Sequence, residues 1–196
     1  MDSLVRVGVG LGLAAAAGFR IFIPLLALGI GAATGKLPLG SGFEWVGSTP
    51  ALIAFGTAAV LEVLGYFIPY VDHLLDLVAT PAAVGAGMLA TAALATELPP
   101  LLKWGAVIIG GGGLAGLVQG ATALLRLNST ALTGGAGNPG VATFELFGSV
   151  TMLVLALVVP LLAVGLALFL VVAVFRRTGR FLFGRKAAAS NPWSFP

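Results

Sequence analysis

Ionisable side chains are scarce in this chain, and those inside apolar tracts are the ones whose type and position could do chemistry. Arg20 stands near the centre of a tract from Leu4 to Thr34, Glu62 deep in a second from Ala51 to Phe67, and Glu145 in the first turns of one that begins at Val141. A central arginine in hydrocarbon costs about 2.5–3.5 kcal/mol before compensation. An ion pair between Arg20 and either Glu62 or Glu145 would satisfy two such charges at once. That pair could lock helices together, or it could mark a pathway for an ion or solute; an arginine that snorkels to an interface would need neither. Gln119 is either a neutral lining of the same cavity or an interhelical hydrogen-bonding group.

A second group is Asp72, His73 and Asp76. The aspartates are four apart and share one helix face, which offers a weak hard-cation or proton-accepting cluster or simply a solvated interfacial face. An acid and base pair would need a pocket to separate their proton affinities, and no sequence feature supplies one. The run Gly134-Gly135-Ala136-Gly137-Asn138-Pro139 only superficially resembles an anion-cradling loop, since it lacks a following Lys-Ser/Thr and a preceding strand. Irregular backbone with Asn138 capping a helix that Pro139 starts is the better expectation. There are no cysteines and one histidine, so disulfides, thiolate metal sites, cysteine nucleophiles and His-based zinc or haem sites are excluded. No cofactor or metal is expected. No nucleophile with acid and base partners is visible, so an enzyme, such as a lipid-modifying one, is not the reading adopted.

The elements that hold these residues must be membrane helices. The chain has 196 residues, 59% hydrophobic and 9% charged, with a mean hydropathy of +1.09; a soluble domain with about 25% charged residues has a surface this one cannot make. The 29 glycines lie in apolar runs without a three-residue period, as in closely packed membrane helices rather than collagen. The expected fold is an all-α polytopic transmembrane bundle with about five spans, forming a single domain. The 31 residues from Leu4 to Thr34 would make about 46 Å of helix against about 30 Å of hydrocarbon. Gly18 and Pro24 bracket Arg20, so the first span is expected to be broken or strongly tilted. A signal peptide is the competing reading, but no cleavage site before a soluble segment is apparent.

Residues 35–50 form a loop with Lys36, Glu44 and Trp45. The second span ends at Pro69, an amphipathic interfacial segment follows from Tyr70 to Thr80, and Pro81 starts a short third span over 81–95. A fourth runs from Trp104 to Leu125 through four consecutive glycines, Gly110 to Gly113, which need compensation by neighbouring helices or local unwinding. The apolar tract Val141 to Phe175, with Pro160 near its middle, is too long for one upright span. Arg176, Arg177, Arg180, Arg185 and Lys186 are five of the ten basic residues, so the positive-inside rule puts the C-terminus in the cytoplasm. Five spans then place the N-terminus outside, and a re-entrant hairpin in residues 4–34 would reverse that. This cluster, in a basic tail over 176–196, accompanies no folded basic domain, so nucleic acid is not an expected partner. The expected partners are the lipid bilayer, a second copy or a larger membrane complex.

Sliding the chain by 99 positions lays Gly12, Ala16, Leu25, Leu26, Thr34 and Gly35 on Gly111, Ala115, Leu124, Leu125, Thr133 and Gly134, and Arg20 on Gln119. The units would be 4–69 and 104–175, with 81–95 as a connector that inverts the second. Inverted repeats with discontinuous helices are the architecture of many secondary transporters. A small transporter or channel-like protein with its site between the repeats is therefore the leading expectation; the alternative is a structural or accessory subunit in which the same residues only join helices.

Four motifs occur in order: Gly18-Phe19-Arg20-Ile21-Phe22-Ile23-Pro24, Phe43-Glu44-Trp45 with Ser48, Ile68-Pro69-Tyr70-Val71-Asp72, and Gly137-Asn138-Pro139. Together with the arginine-rich tail they resemble a family of bacterial integral membrane proteins classified only as a domain of unknown function, over roughly residues 8–177. The resemblance implies an inner-membrane location and supplies no activity. In that family's pattern a charged pair often precedes the Ile-Pro step, where this chain has Tyr66-Phe67, and an acidic pair often stands where Glu145-Leu146 stands here. If those charges carry function in relatives, this chain has altered or lost it.

Overall fold

Glycine and proline set nearly every helix boundary. The computed structural model of the chain describes residues 3–189, in which helices are joined by short turns and no strand is present among the described residues. Helix α1 (Ser3–Ala17) ends where Gly18 N donates to Ala14 O, Arg20 N donates to Ala16 O and the chain turns; α2 (Phe22–Ala33) begins immediately after. Pro24 lies in the first turn of α2, where its missing N–H costs nothing, so it starts a helix and does not kink one.

The two arms then run antiparallel. Leu13 and Leu28 are buried in one cluster with Val9, Leu37 and Leu94. Gly40 N donates to Ala93 O (2.9 Å), and Arg6 Nη1 donates to Thr96 Oγ1 (2.8 Å), so the start of α1 and the loop after α2 meet the same end of α4. The first apolar tract is therefore a helical hairpin with Arg20 at its tip, broken as expected but folded back.

After a 3₁₀ turn at Glu44–Gly47, Ser48 caps α3 (Thr49–Gly65) by accepting from Ala51 N, with Pro50 in the first turn. Pro69 starts α4 (Pro69–Leu94). The separate interfacial segment and third span are here one helix of 26 residues with Pro81 inside it. Loss of one intrahelical hydrogen bond is tolerated because Ala83, Ala86, Ala90 and Ala93 bury the same helix against the hairpin.

Helix α5 (Pro100–Thr133) is continuous but π-helical over Ala106–Gly112, which includes most of the glycine run. Both expected compensations are present: the helix is locally underwound, and a Cβ at Gly111 would fall 2.6 Å from Gly87 O of α4. Gly134, at φ +64°, ends α5 in the left-handed conformation. The tract 141–175 is not one long span. It is divided at Val159 between α6 (Asn138–Val158) and α7 (Pro160–Ala189), because the proline that follows pushes Val159 out of the helical region, to φ −139° and ψ 76°.

Helix α1 lies at the centre, against α4, α5, α6 and α7. Ser149 Oγ donates to Ala16 O (3.1 Å), and a Cβ on Gly12 would meet Ala156 Cβ at 2.6 Å, so α1 and α6 touch almost backbone to backbone. The outer faces are apolar: Leu101, Ile109, Phe147, Leu161 and Phe169 are all exposed. Two helices, α5 and α6, are long and apolar enough to cross a membrane, with mean hydropathies of 1.6 and 2.1; the remaining apolar helical stretches are shorter.

Two helix ends 99 residues apart have the same local geometry. Thr34 Oγ1 donates to Ile30 O and Thr133 Oγ1 to Ser129 O, both at 2.8 Å, and the glycine after each has φ near +70° (71° and 64°). Larger features differ, since the first unit doubles back at Arg20 whereas α5 runs on through Gln119.

Candidate functional site

The hairpin carries Arg20 into the middle of the bundle, where it is 1% exposed. Its Nη2 donates to Ala142 O (2.8 Å) and lies 3.3 Å from Oε2 of Glu145, on the second turn of α6. Glu145 in turn is gripped by Arg126 of α5: Nε donates to Oε1 (2.9 Å) and Nη2 to Oε2, a two-pronged bond that fixes the plane of the carboxylate. One carboxylate thus sits between two guanidinium groups. Both also lie on Tyr66, with Cζ of Arg20 4.0 Å and Cζ of Arg126 4.1 Å from the ring centroid, so the aromatic quadrupole shares the positive charge. Arg20 keeps two buried donors, Nε and Nη1, without a hydrogen-bonding partner.

Of the two carboxylates proposed for Arg20, Glu145 is the direct partner. Glu62 is buried too, but its Oε1 accepts from Ile21 N (2.8 Å) and its Oε2 from Phe22 N (3.1 Å). It caps α2, where the unsatisfied N–H groups and the partial positive charge of a helix start favour an anion. Glu62 therefore holds the hairpin tip in shape, and Glu145 holds its charge.

Gln119 is buried, and among the described residues no hydrogen bond joins it to Arg20. It lines a cavity of about 350 Å³ with Asp76, Ala123, Arg126, Leu127, Thr130 and Asn138. Asp76 Oδ1 stands 3.8 Å from Arg126 Nη1, an ion pair too long to be a hydrogen bond. Asn138 does not cap α6 with its side chain as expected. It is the first residue of that helix and exchanges hydrogen bonds with Thr130 (3.3 and 3.2 Å), closing one wall of the cavity. The side chains of Asp72 and His73 lie outside the described residues, so the pairing of Asp72 with Asp76 is not placed. Among the described residues no group of His, Cys, Asp and Glu is arranged to hold a metal ion.

Arg126 and Tyr66 are the members that sequence reasoning missed. Arg126 lies one residue past the end of the span drawn to Leu125, yet Gln119, Thr122, Arg126 and Thr130 recur at helical spacing and trace one polar stripe along α5. That stripe was the available signal. Nothing in the spacing around Tyr66 marks it.

On the far side of Tyr66 a larger apolar groove of about 620 Å³ runs between α3 and α4, with Glu62 and Tyr66 among its lining residues and Leu61, Leu64, Val71 and Val78 along its walls. The buried charges thus lie between a polar cavity and an apolar groove.

No curated protein and no solved structure matches the chain. A family model matches residues 7–180, a stretch that includes all but the first four residues of the hairpin, the cavity and every charged residue of the buried centre. The chain belongs to the family described as Domain of unknown function (DUF4126).

Proposed function

We propose that the chain is a small solute transporter of the bacterial inner membrane, built from five crossing helices, α3 to α7, and a hairpin, α1–α2, that enters and leaves on one side. The topology follows from helix ends. Thr96, Glu97 and the 34–48 loop stand with the start of α1, whereas Asp76, Arg126 and Asn138 stand at the opposite end, the end where Val174 of α7 lies beside Leu125. Five crossings put the hairpin mouth outside and the arginine-rich tail in the cytoplasm, in keeping with the positive-inside rule. The cavity then opens toward the cytoplasm.

One observation carries the transport reading: a polar cavity reaches Arg126, and behind Arg126 lie Glu145 and Arg20 at the tip of a discontinuous helix. Half-helices meeting at a buried polar site are how membrane proteins expose backbone and charge to a solute without exposing them to lipid. Beyond the tip the path is closed by close-packed small residues, Gly12 against Ala156 and Gly87 against Ala115 and Gly111. Such an arrangement is a state open to one side. The Thr34-Gly35 and Thr133-Gly134 caps support two related halves, whose inverted packing would supply the opposite state.

Flux of labelled solutes into vesicles containing the purified chain tests this. Uptake that falls at least tenfold in Glu145→Gln, with the variant still folded, is expected; no uptake across ions, sugars, amino acids and organic acids would overturn it. The groove between α3 and α4 favours a second reading, an accessory subunit that receives a partner helix there. A stable complex recovered with the protein and lost in Leu61→Lys would select that reading.

A further inference from the structure

We infer that Glu62 is a proton-binding site, reached along the apolar groove between α3 and α4 and not from the polar cavity, and that its proton releases the tip of the hairpin. The inference rests on the transport reading for its purpose, since it makes the proton the coupling ion, but the site itself follows from geometry. Two carboxylates are buried at the centre of the bundle, and they are held in opposite ways. Glu145 lies between two guanidinium groups, so a proton there would leave both cations without their partner. Glu62 has no cation within ion-pair distance among the described residues; its two oxygens accept from Ile21 N (2.8 Å) and Phe22 N (3.1 Å). A proton on Glu62 strands no cation, and it removes a buried charge that has no paired partner.

The surroundings of Glu62 suit a proton and little else. Arg20 and Glu145 are the charged groups that act on it from a distance. In α3 itself Tyr66 stands one turn further on, with Arg126 of α5 on its ring. Across the groove α4 presents Val71, Leu75, Val78 and Ala79, while Asp76 of the same helix lines the other cavity; the side chains of Asp72 and His73 lie outside the described residues. A hard metal cation takes about six oxygen ligands or more, and this side-chain lining is almost wholly aliphatic; a proton needs one lone pair. The way in is short. The groove passes Tyr66 to Ile68, half-exposed at the turn into α4, so about one and a half helical turns separate Glu62 from the mouth.

Binding of the proton acts on the hairpin. A carboxylate offers a full acceptor to each N–H, whereas a carboxylic acid keeps its carbonyl oxygen as acceptor and turns its other oxygen into a donor. A proton from water at the mouth forms an O–H bond on one oxygen, the side chain becomes neutral, and one of the two bonds to the start of α2 is given up. The positive end of α2 also loses its anion. Ile21 and Phe22 directly follow Arg20, so loosening this turn loosens the hold of Arg20 on Ala142 O and Glu145. Loss of the proton restores both bonds.

Dicyclohexylcarbodiimide, an apolar reagent that dissolves in lipid, tests the site because it adds to protonated carboxyl groups: the acid's proton passes to one nitrogen, its oxygen bonds the central carbon, and rearrangement leaves a stable acylurea. With the full chain in phosphatidylcholine vesicles, mass spectrometry of peptides should place the adduct on Glu62, at least tenfold above Glu145, with a yield that falls as the pH is raised. A charged, water-soluble carbodiimide should label Glu62 at least tenfold less. These measurements need no variant. Over the same pH range the protection of the Ile21 and Phe22 amides from hydrogen exchange, corrected for its intrinsic pH dependence, should drop at least tenfold on acidification, and in Glu62→Gln it should be low and flat. No adduct on Glu62 at any pH, equal labelling of Glu145, or amide protection that stays fixed while Glu62 is labelled would overturn the inference. Labelling and loosening without flux of any solute would sink the transport reading and leave the proton site standing; flux indifferent to a proton gradient, with Glu62 unlabelled, would do the reverse.

Discussion

Removing Glu145 should harm the fold more than removing Arg20, although both are 1% exposed. In Glu145→Ala two buried guanidinium groups lose the carboxylate between them, and breaking a buried pair by deleting one partner costs about 3–5 kcal/mol. Arg20→Ala is a different case. Glu145 keeps its two-pronged bond to Arg126, so no carboxylate is orphaned. What is lost is the bond from Arg20 Nη2 to Ala142 O, at about 1.5–3 kcal/mol for a charged donor, with the longer ion pair to Glu145 and the contact with the Tyr66 ring, both of which Arg126 continues to supply. Part of that is offset because Nε and Nη1, buried without partners, disappear as well. A net cost of about 2 kcal/mol is expected for Arg20→Ala, leaving a gap of about 1–3 kcal/mol between the variants. Reversible unfolding of the purified chain in mixed micelles, followed by circular dichroism, measures both. The double variant should cost less than the sum, since the two side chains share one interaction. Equal losses in the two single variants would mean that Arg20, and not Arg126, is the main partner of Glu145. A Glu145→Ala variant within about 0.5 kcal/mol of wild type would refute the buried centre altogether.

Gly18→Ala places a Cβ 2.6 Å from both Ala115 O and Val118 Cβ, so the hairpin tip must move off α5, and the variant should lose about 1–3 kcal/mol in the same unfolding assay. Glu62→Gln keeps one acceptor for the start of α2 but loses the second bond and the charge; a loss of about 1–2 kcal/mol is expected, with hydrogen exchange at Ile21 and Phe22 accelerating first. The chain has no native cysteine, so single-cysteine variants report access cleanly. Ala123→Cys, on the cavity wall, should react with a charged thiol reagent applied from the side that carries the C-terminus, whereas Ala16→Cys, 0% exposed, should react from neither side.

Hydropathy and punctuation made much of this fold readable. Pro50, Pro69, Pro100, Pro139 and Pro160 all lie in the first turns of helices, where their missing N–H groups are harmless, and Gly35 and Gly134 follow helix ends with left-handed backbone. Pro81 was misread because a proline inside a helix is decided by packing that lies far away in the chain. The first tract leaves a broken span and a re-entrant hairpin both open for a similar reason. Nothing local tells a broken span from a hairpin, and contacts from Leu13 to Leu28 and from Arg6 to Thr96 settle it. In the site, Arg20, Glu62, Glu145 and Gln119 stood out because polar atoms in apolar tracts need an explanation. Arg126 did not, since hydropathy alone left it at a span's edge, and Tyr66 did not, since its role is to lie under two cations that the chain brings together only when folded.

The hairpin also dictates an order of assembly. Glu145 follows Arg20 by about 125 residues, or about 6–25 s of synthesis at 5–20 residues per second. During that interval the tip has no carboxylate to neutralise it, and Glu62, which shapes its turn, is itself about 40 residues behind. An arginine in that position resists hydrocarbon, so the first segment to be made is the last that can settle. With the topology proposed above, it would have to wait near the surface until α6 arrives and then close the bundle last. Folding of this chain should therefore begin in its C-terminal half, with the N-terminal hairpin as the final step.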